Sequence, residues 1–250
     1  MVELLAGKIA FVTGAAAGLG RAIACRLAAA GARGLAFDMA ASRDPLPPGW
    51  IEYRGNVCDE TDLQRAIARI EDAFGRLDVV VANAGVVPPW RRIEALDFEQ
   101  WDQVFAVNVK GVAATMKHAV APMKQNGGSI VAMGSLNSQR GHGSQCLYTA
   151  SKHAVLGIVR AAALDLGRYG IRVNALGPGP IATDALVGRV QSRARQGGPA
   201  PEEVFAQFAE ETALGRIASA GDVAGAALFL ASDLSAGITG QLLPVDAGLT

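Results

Sequence analysis

Tyr148 and Lys152 stand four residues apart in the segment CLYTASKHAVLG, and Ser135 closes the run GGSIVAMGS thirteen residues before the tyrosine. Residues i and i+4 share a helix face, so this spacing sets a phenol and an ammonium one turn apart. A cation beside a phenol favours the phenolate. Lys152 is therefore expected to draw the Tyr148 pKa down from a reference of about 10 toward working pH. The hydroxyl of Ser135 would hold a substrate oxygen while Tyr148 moves its proton. The chemistry these residue types support is acid–base transfer at an alcohol or carbonyl oxygen. One Tyr-x-x-x-Lys spacing arises easily by chance, so the reading depends on what the rest of the chain supplies.

The other end of the chain supplies a phosphate cradle. TGAAAGLG runs from Thr13 to Gly20 and joins an apolar strand-like run (8–14) to a helical pattern. Gly14 permits the tight turn, Gly18 lets backbone approach a pyrophosphate, and Gly20 allows close packing of helix on strand. The N-terminus of that helix offers unpaired N–H groups and a partial positive charge. Asp38 ends the next strand, 24 residues after Gly14. Its carboxylate can accept hydrogen bonds from adenosine ribose hydroxyls and would repel a 2′-phosphate. No basic residue lies in the turn. Both features select NAD over NADP, and Arg43, in a turn-rich stretch, is not credited with reversing that choice.

These sites sit on alternating elements. Strands are expected at 8–14, 34–38, 50–54, 77–85, 128–135, 171–177 and 240–246, and helices at 18–31, about 59–74, 98–125, 147–168 and 221–231. Leu19, Ile23 and Leu27 form the apolar face of the first helix, Gly31 closes it, and Asp59 is the expected N-cap of the second. The polar stretch 180–216 reads as two short helices. Strands separated by helices imply a parallel sheet with right-handed crossovers. The fold class is α/β: a Rossmann-type, doubly wound parallel sheet of about seven strands with helices on both faces. No linker divides the 250 residues, so 1–250 is read as one domain.

Composition narrows the function. Half of the residues are hydrophobic and 18% are charged, enough for a large buried core. Lysine plus arginine balance aspartate plus glutamate at 23 each, which gives no argument for nucleic acid or an acidic membrane surface. Cys25, Cys58 and Cys146 are scattered without a C-x-x-C, as reduced thiols are. Cys25 is expected in the core, and Cys146, two residues from Tyr148, is read as a packing residue, with a site-lining role as the alternative. The three histidines are too dispersed for a metal site, so none is expected. The first strand begins within ten residues and no apolar run spans a bilayer. The chain reads as soluble and cytoplasmic.

Several motifs recur in a familiar order: the glycine turn 13–20, NAG at 83–85, Asn108, Ser135, Tyr148 with Lys152, GPGPIAT at 177–183 and TGQLLPVDAG at 239–248. With them the chain resembles the short-chain dehydrogenase/reductase family over nearly its whole length. The resemblance implies Tyr148 as general acid/base, Lys152 as the group that lowers its pKa and binds the nicotinamide ribose, and Ser135 as the substrate-oxygen clamp. It implies that Asn108 holds a water linking Lys152 to bulk proton exchange. Asn83, Ala84 and Gly85 would brace the central strand against the adenosine side. Asn56 and Val57 would border the adenine, and Pro178, Gly179, Ile181 and Thr183 would flank the nicotinamide. Ala17 and Leu19 in the glycine turn and Met39 beside Asp38 complete the cofactor contacts. Segment 183–215 would be a substrate lid. Family members often form tetramers through the helices at 98–125 and 147–168 and the C-terminal strand, so a homotetramer is expected. Asn56 replaces the usual aspartate, LNSQRG follows Ser135 in place of a second serine, and Ala247 replaces a glycine. These departures make the substrate unsafe to carry over.

The stretch between Ser135 and Tyr148 is polar, with Asn137, Arg140, His142, Ser144 and Gln145. Asn137 and Gln145 are the candidate substrate contacts beside Ser135 and Tyr148, Trp90 would cover the pocket mouth, and Arg140 would grip a carboxylate. Such a pocket suits a sugar, polyol or hydroxy acid. The sequence points to an NAD-dependent oxidoreductase interconverting a secondary alcohol and its ketone. Two rivals are a 3-oxoacyl-thioester reductase, which would prefer NADPH, and a non-catalytic dinucleotide-binding protein.

Overall fold

The computed structural model describes residues 3–195 and 197–249. Its strands are β1 (Ile9–Thr13), β2 (Arg33–Asp38), β3 (Trp50–Arg54), β4 (Val79–Ala82), β5 (Gly128–Met133), β6 (Ile171–Pro178) and β7 (Leu242–Val245). They form one sheet in the order β3-β2-β1-β4-β5-β6-β7, and every pairing is parallel. The chain builds outward from β1 to β3 and then crosses to β4 on the other side of β1. That reversal opens a crevice at the C-terminal ends of β1 and β4, where ligands bind in open α/β sheets.

Side-chain alternation divides the core in two. Ile9 and Phe11 of β1, Val80 and Ala82 of β4, and Ile130 and Ala132 of β5 face one layer. Ala10 and Val12, Val79 and Val81, and Val131 and Met133 face the other. Strands buried on both faces need apolar residues throughout, which is why these segments read as continuous runs. The first layer holds α2 (Glu60–Phe74), α4 (Val112–Met123) and α5 (Cys146–Leu166). The second holds α1 (Gly18–Ala29) and α8 (Ala220–Ala231). Asp59 caps α2 as expected, accepting a hydrogen bond from the Thr61 N–H at 2.8 Å.

Three local differences from the sequence reading have physical causes. The fourth strand is confined to 79–82, because residues 83–85 already turn to meet the glycine loop. Cys25 is exposed. It lies two residues from both Ile23 and Leu27, the side chains that α1 buries, and so points away from the sheet. The helix expected at 98–125 is α3 (Phe98–Phe105) and α4 joined by a π-helical stretch, Ala106–Gly111. Such stretches free backbone groups and concentrate at functional sites, and this one carries Asn108.

Candidate active site

The crevice is built first. Gly14 has φ +66°, and a Cβ there would lie 2.8 Å from Ala84 Cα. At Gly20 a Cβ would lie 2.0 Å from the Gly14 carbonyl oxygen, so α1 starts pressed against the turn before it. Asn83 locks the two loops together. Its Nδ2 donates to the carbonyls of Thr13 at 2.9 Å and Gly14 at 3.1 Å, while the N–H groups of Asn83 and Ala84 both donate to Thr13 Oγ1 at 3.1 Å. Asn83 and Ala84 thus brace β4 against the turn. The Thr13 hydroxyl that receives them was not anticipated; a hydroxyl ending an apolar strand is its only sequence trace.

A dinucleotide fits this cradle. Ala17 and Gly18 are exposed at the start of α1, and nothing lies within 4 Å of where a Gly18 Cβ would be. The first N–H groups of a helix have no intrahelical partner and point outward. Asp38 is pinned beside the turn: its Oδ2 accepts from Ala16 N and its Oδ1 from Ala40 N, each at 3.0 Å. Each oxygen keeps a lone pair for a ribose hydroxyl. Met39 is exposed next to it. Arg43 lies 4.0 Å from Asp184, with both side chains open to solvent. Asn56 Oδ1 accepts from Cys58 N at 2.9 Å, which leaves its Nδ2 for an adenine contact. Val57, by contrast, turns its side chain into the core against Gly111, so only its backbone can border an adenine.

Ser135 and Tyr148 line one cavity of about 270 Å³. Pro178, Gly179, Ile181 and Thr183 form a second wall, and Asn137, His142 and Gln145 a polar flank. Ser135 Oγ accepts from Asn137 N at 3.2 Å, so its own hydrogen is free to donate into the cavity. Asn137 Nδ2 donates to Gln145 Oε1 at 3.2 Å and to Thr149 Oγ1 at 3.0 Å, which ties the loop after β5 to the start of α5. Trp90 lines the cavity as expected. Arg140 is exposed and is not a lining residue; it donates to the carbonyl of Leu249, which does line the cavity. Cys146 and Ser144 also lie outside it.

The expected electrostatics need correction. Burial raises the Tyr148 pKa, with the Ser135 hydroxyl and the Arg189 guanidinium working in the opposite direction. The Lys152 Nζ donates to the Met133 carbonyl at 2.7 Å and lies over the Tyr148 ring, 5.7 Å from its centroid. Burial lowers the Lys152 pKa to about 8. Asn108 is fully buried, and its side chain is occupied: Oδ1 accepts from Val86 N at 2.8 Å, and Nδ2 donates to Val86 O at 2.9 Å and Ser151 Oγ at 3.3 Å.

Two helices, α6 (Asp184–Arg195) and α7 (Pro201–Glu210), roof the cavity, held by Leu186, Val190 and Val204 packed with Trp90, Phe205 and Phe208. From α6, Arg189 reaches the cavity. No sequence signal singled it out, since an arginine between Leu186 and Val190 reads as the solvated side of an amphipathic helix.

A doubly wound parallel sheet with a glycine cradle at its switch point, a serine and a tyrosine on one cavity and a lysine buried beside them defines a dinucleotide-type α/β oxidoreductase. Comparison with known proteins places the chain within that class. Residues 14–250 match a family model described as enoyl-(acyl carrier protein) reductase. Short-chain dehydrogenase reductase 3c of Arabidopsis thaliana is 39% identical, covering 98% of this chain and 95% of the relative. Cis-4-hydroxycyclohexanecarboxylate dehydrogenase of Sinomonas cyclohexanicum is 35% identical over 100% of this chain and 99% of its own. Among solved structures, carveol dehydrogenase from Mycobacterium avium in complex with NAD superimposes with a TM-score of 0.89 at 33% identity, covering 98% of both chains. The chain belongs to the short-chain dehydrogenase/reductase family.

Proposed function

We propose that the protein is an NAD-dependent dehydrogenase that interconverts a secondary alcohol and its ketone, with Tyr148 as the acid/base. The observation that carries this reading is the convergence of Ser135 and Tyr148 on one cavity whose facing wall is Pro178–Thr183, with Lys152 buried beneath. Gly14, Gly18, Leu19 and Asp38 would hold the pyrophosphate and adenosine ribose, and Ile181 and Thr183 the nicotinamide end. Bound NAD supplies the two-electron acceptor that takes the carbinol hydrogen as hydride. Ser135 donates its free hydrogen to the substrate oxygen and fixes its position. Tyr148 takes the hydroxyl proton during oxidation and returns it during ketone reduction. Lys152 is the cation beneath this exchange and, once turned from Met133, can reach a ribose hydroxyl. Helices α6 and α7 act as the lid, keeping water from the reacting carbon.

The carboxylate of Asp38 supports NAD, as does the NAD complex of the carveol dehydrogenase relative. It weighs against the NADPH-preferring 3-oxoacyl-thioester reductase. Phe98 on α3 and Leu164 on α5 are 71% and 86% exposed, apolar surface suited to the homotetramer expected of the family. A cytoplasmic location accords with three free cysteines. Among the described residues no helix is long and apolar enough to cross a membrane. The test is a spectrophotometric screen for NADH formation with hydroxy acids, polyols, sugars and simple secondary alcohols, repeated with Tyr148→Phe. Turnover should vanish in the variant while NAD affinity stays within about threefold. Near-normal turnover in Tyr148→Phe would remove Tyr148 from its role.

A further inference from the structure

Three side-chain nitrogens are buried without a hydrogen-bond partner among the described residues: Arg21 Nη1, Trp90 Nε1 and Arg189 Nε. Two of these residues, Trp90 and Arg189, line the cavity that holds Ser135 and Tyr148. They are stacked together, with the Arg189 guanidinium carbon 5.3 Å from the Trp90 ring centroid and that of Arg193 at 5.1 Å. Buried donors are normally paired, and a desolvated guanidinium especially so. Arg189 belongs to none of the ion pairs among the described residues. Glu211 also lines the cavity, but it is exposed and accepts a hydrogen bond from Gln207 at 2.9 Å. Burial works against the Arg189 cation, which lines the same cavity as Tyr148.

We propose that the Arg189 guanidinium, with Trp90 beside it, forms the seat for a carboxylate on the substrate, so that the enzyme acts on hydroxy acids and their oxo-acid partners in preference to neutral sugars and polyols. A guanidinium presents its N–H donors as a planar fork that matches the two oxygens of a carboxylate, and Arg189 is a lining residue of the cavity that holds Ser135 and Tyr148. Leu136, Leu186 and Phe208 give the intervening space apolar walls, which suit a hydrocarbon skeleton between the carbinol and the acid. The inference rests on the dehydrogenase reading above and adds no chemical step to it. It identifies what the lid contributes to specificity: closing α6 over the cavity brings in the anion seat.

Two measurements test it. The first is calorimetric binding of butanoate, cyclohexanecarboxylate and their methyl esters to the NADH-loaded protein. These probes carry no hydroxyl, so the result is independent of turnover. The wild type should bind at least one acid roughly 10-fold more tightly than its ester. Arg189→Gln should lose roughly 10- to 100-fold of that acid affinity with ester affinity unchanged, as loss of a charge-assisted hydrogen bond predicts. Arg189→Lys should recover part of it. Trp90→Phe keeps the ring and removes the N–H; it should weaken the acid several-fold and serves if Arg189→Gln fails to fold. The second measurement is kcat/KM for 3-hydroxybutanoate and 3-hydroxycyclohexanecarboxylate against their methyl esters, where the same preference and the same loss are expected. Equal binding of acid and ester in the wild type, or equal loss of both in the variants, overturns the carboxylate seat. Efficient turnover of esters without preference for acids does the same and leaves the dehydrogenase reading standing. Selective carboxylate binding with no turnover of any alcohol sustains the seat and overturns the dehydrogenase reading.

Discussion

Replacing Lys152 by methionine removes a buried charge while keeping an unbranched side chain of similar length. Lys152 is 4% exposed, and burial lowers its pKa from 10.5 to about 8. The unfolded chain therefore holds the proton more tightly than the folded protein does. Below about pH 8 the folded state carries the whole penalty of a desolvated ammonium. Between about 8 and 10.5 the folded protein sheds the proton first, and its stability rises with pH. The full span amounts to about 3 kcal/mol. Methionine escapes this penalty but forfeits the 2.7 Å hydrogen bond to the Met133 carbonyl, a loss of about 1–2 kcal/mol. Lys152→Met should thus be more stable than the wild type at neutral pH by about 1–2 kcal/mol, or roughly 2–8 °C in Tm, while losing alcohol turnover. The advantage should shrink by about 3 kcal/mol as pH rises to about 10.5 and end reversed by about 1–2 kcal/mol. Paired urea or thermal unfolding curves, followed by circular dichroism across that range, check this. Taking the difference between the two proteins cancels the other titrating groups. A stability gap that is the same at every pH would refute the burial argument.

Three further outcomes follow from the geometry. Asp38→Ala should raise the KM for NAD roughly 10-fold and narrow the NAD over NADP ratio of kcat/KM, because it removes both ribose acceptors and the repulsion of a 2′-phosphate; an unchanged ratio would exclude Asp38 as selector. Ser135→Ala should lower kcat/KM about 100-fold. It should also move the acid-side, ascending limb of the oxidation pH profile upward, since the serine hydroxyl opposes the burial that raises the Tyr148 pKa; a pH profile left in place would show that Ser135 does not act on Tyr148. Gly20→Ala would drive a methyl group into the Gly14 carbonyl, 2.0 Å from its position, and should destabilise the protein by about 2–3 kcal/mol in urea unfolding with weakened NAD binding; wild-type stability would mean the cradle yields easily.

Much of the site was legible because its signals are local. A five-residue run such as IAFVT must be buried on both faces, and its abrupt end in Gly14 marks the turn. Asp59 caps α2 because its side chain reaches an N–H two residues on, a distance the sequence fixes. The i, i+4 spacing of Tyr148 and Lys152 survives in α5. What was not legible depends on partners far away in the chain. Lys152 donates to the Met133 carbonyl as well as lying over the Tyr148 ring, because α5 packs against β5. Arg140 and Arg189 differ in how far their sequence positions reveal where they end. One lies near the substrate in sequence and ends at the surface, while the other is 41 residues beyond Tyr148 and comes back over the cavity on α6.

The amino-acid order by itself determined the strand–helix alternation, the glycine cradle, the acid at the end of β2 and the pairing of phenol with ammonium on one helix face. Each is set by backbone periodicity or by contacts within a few residues. Only the tertiary structure decided which hydroxyls and cations meet at one cavity and how strongly each is desolvated. Those quantities depend on how close residues distant in sequence are packed and on how much water that packing removes.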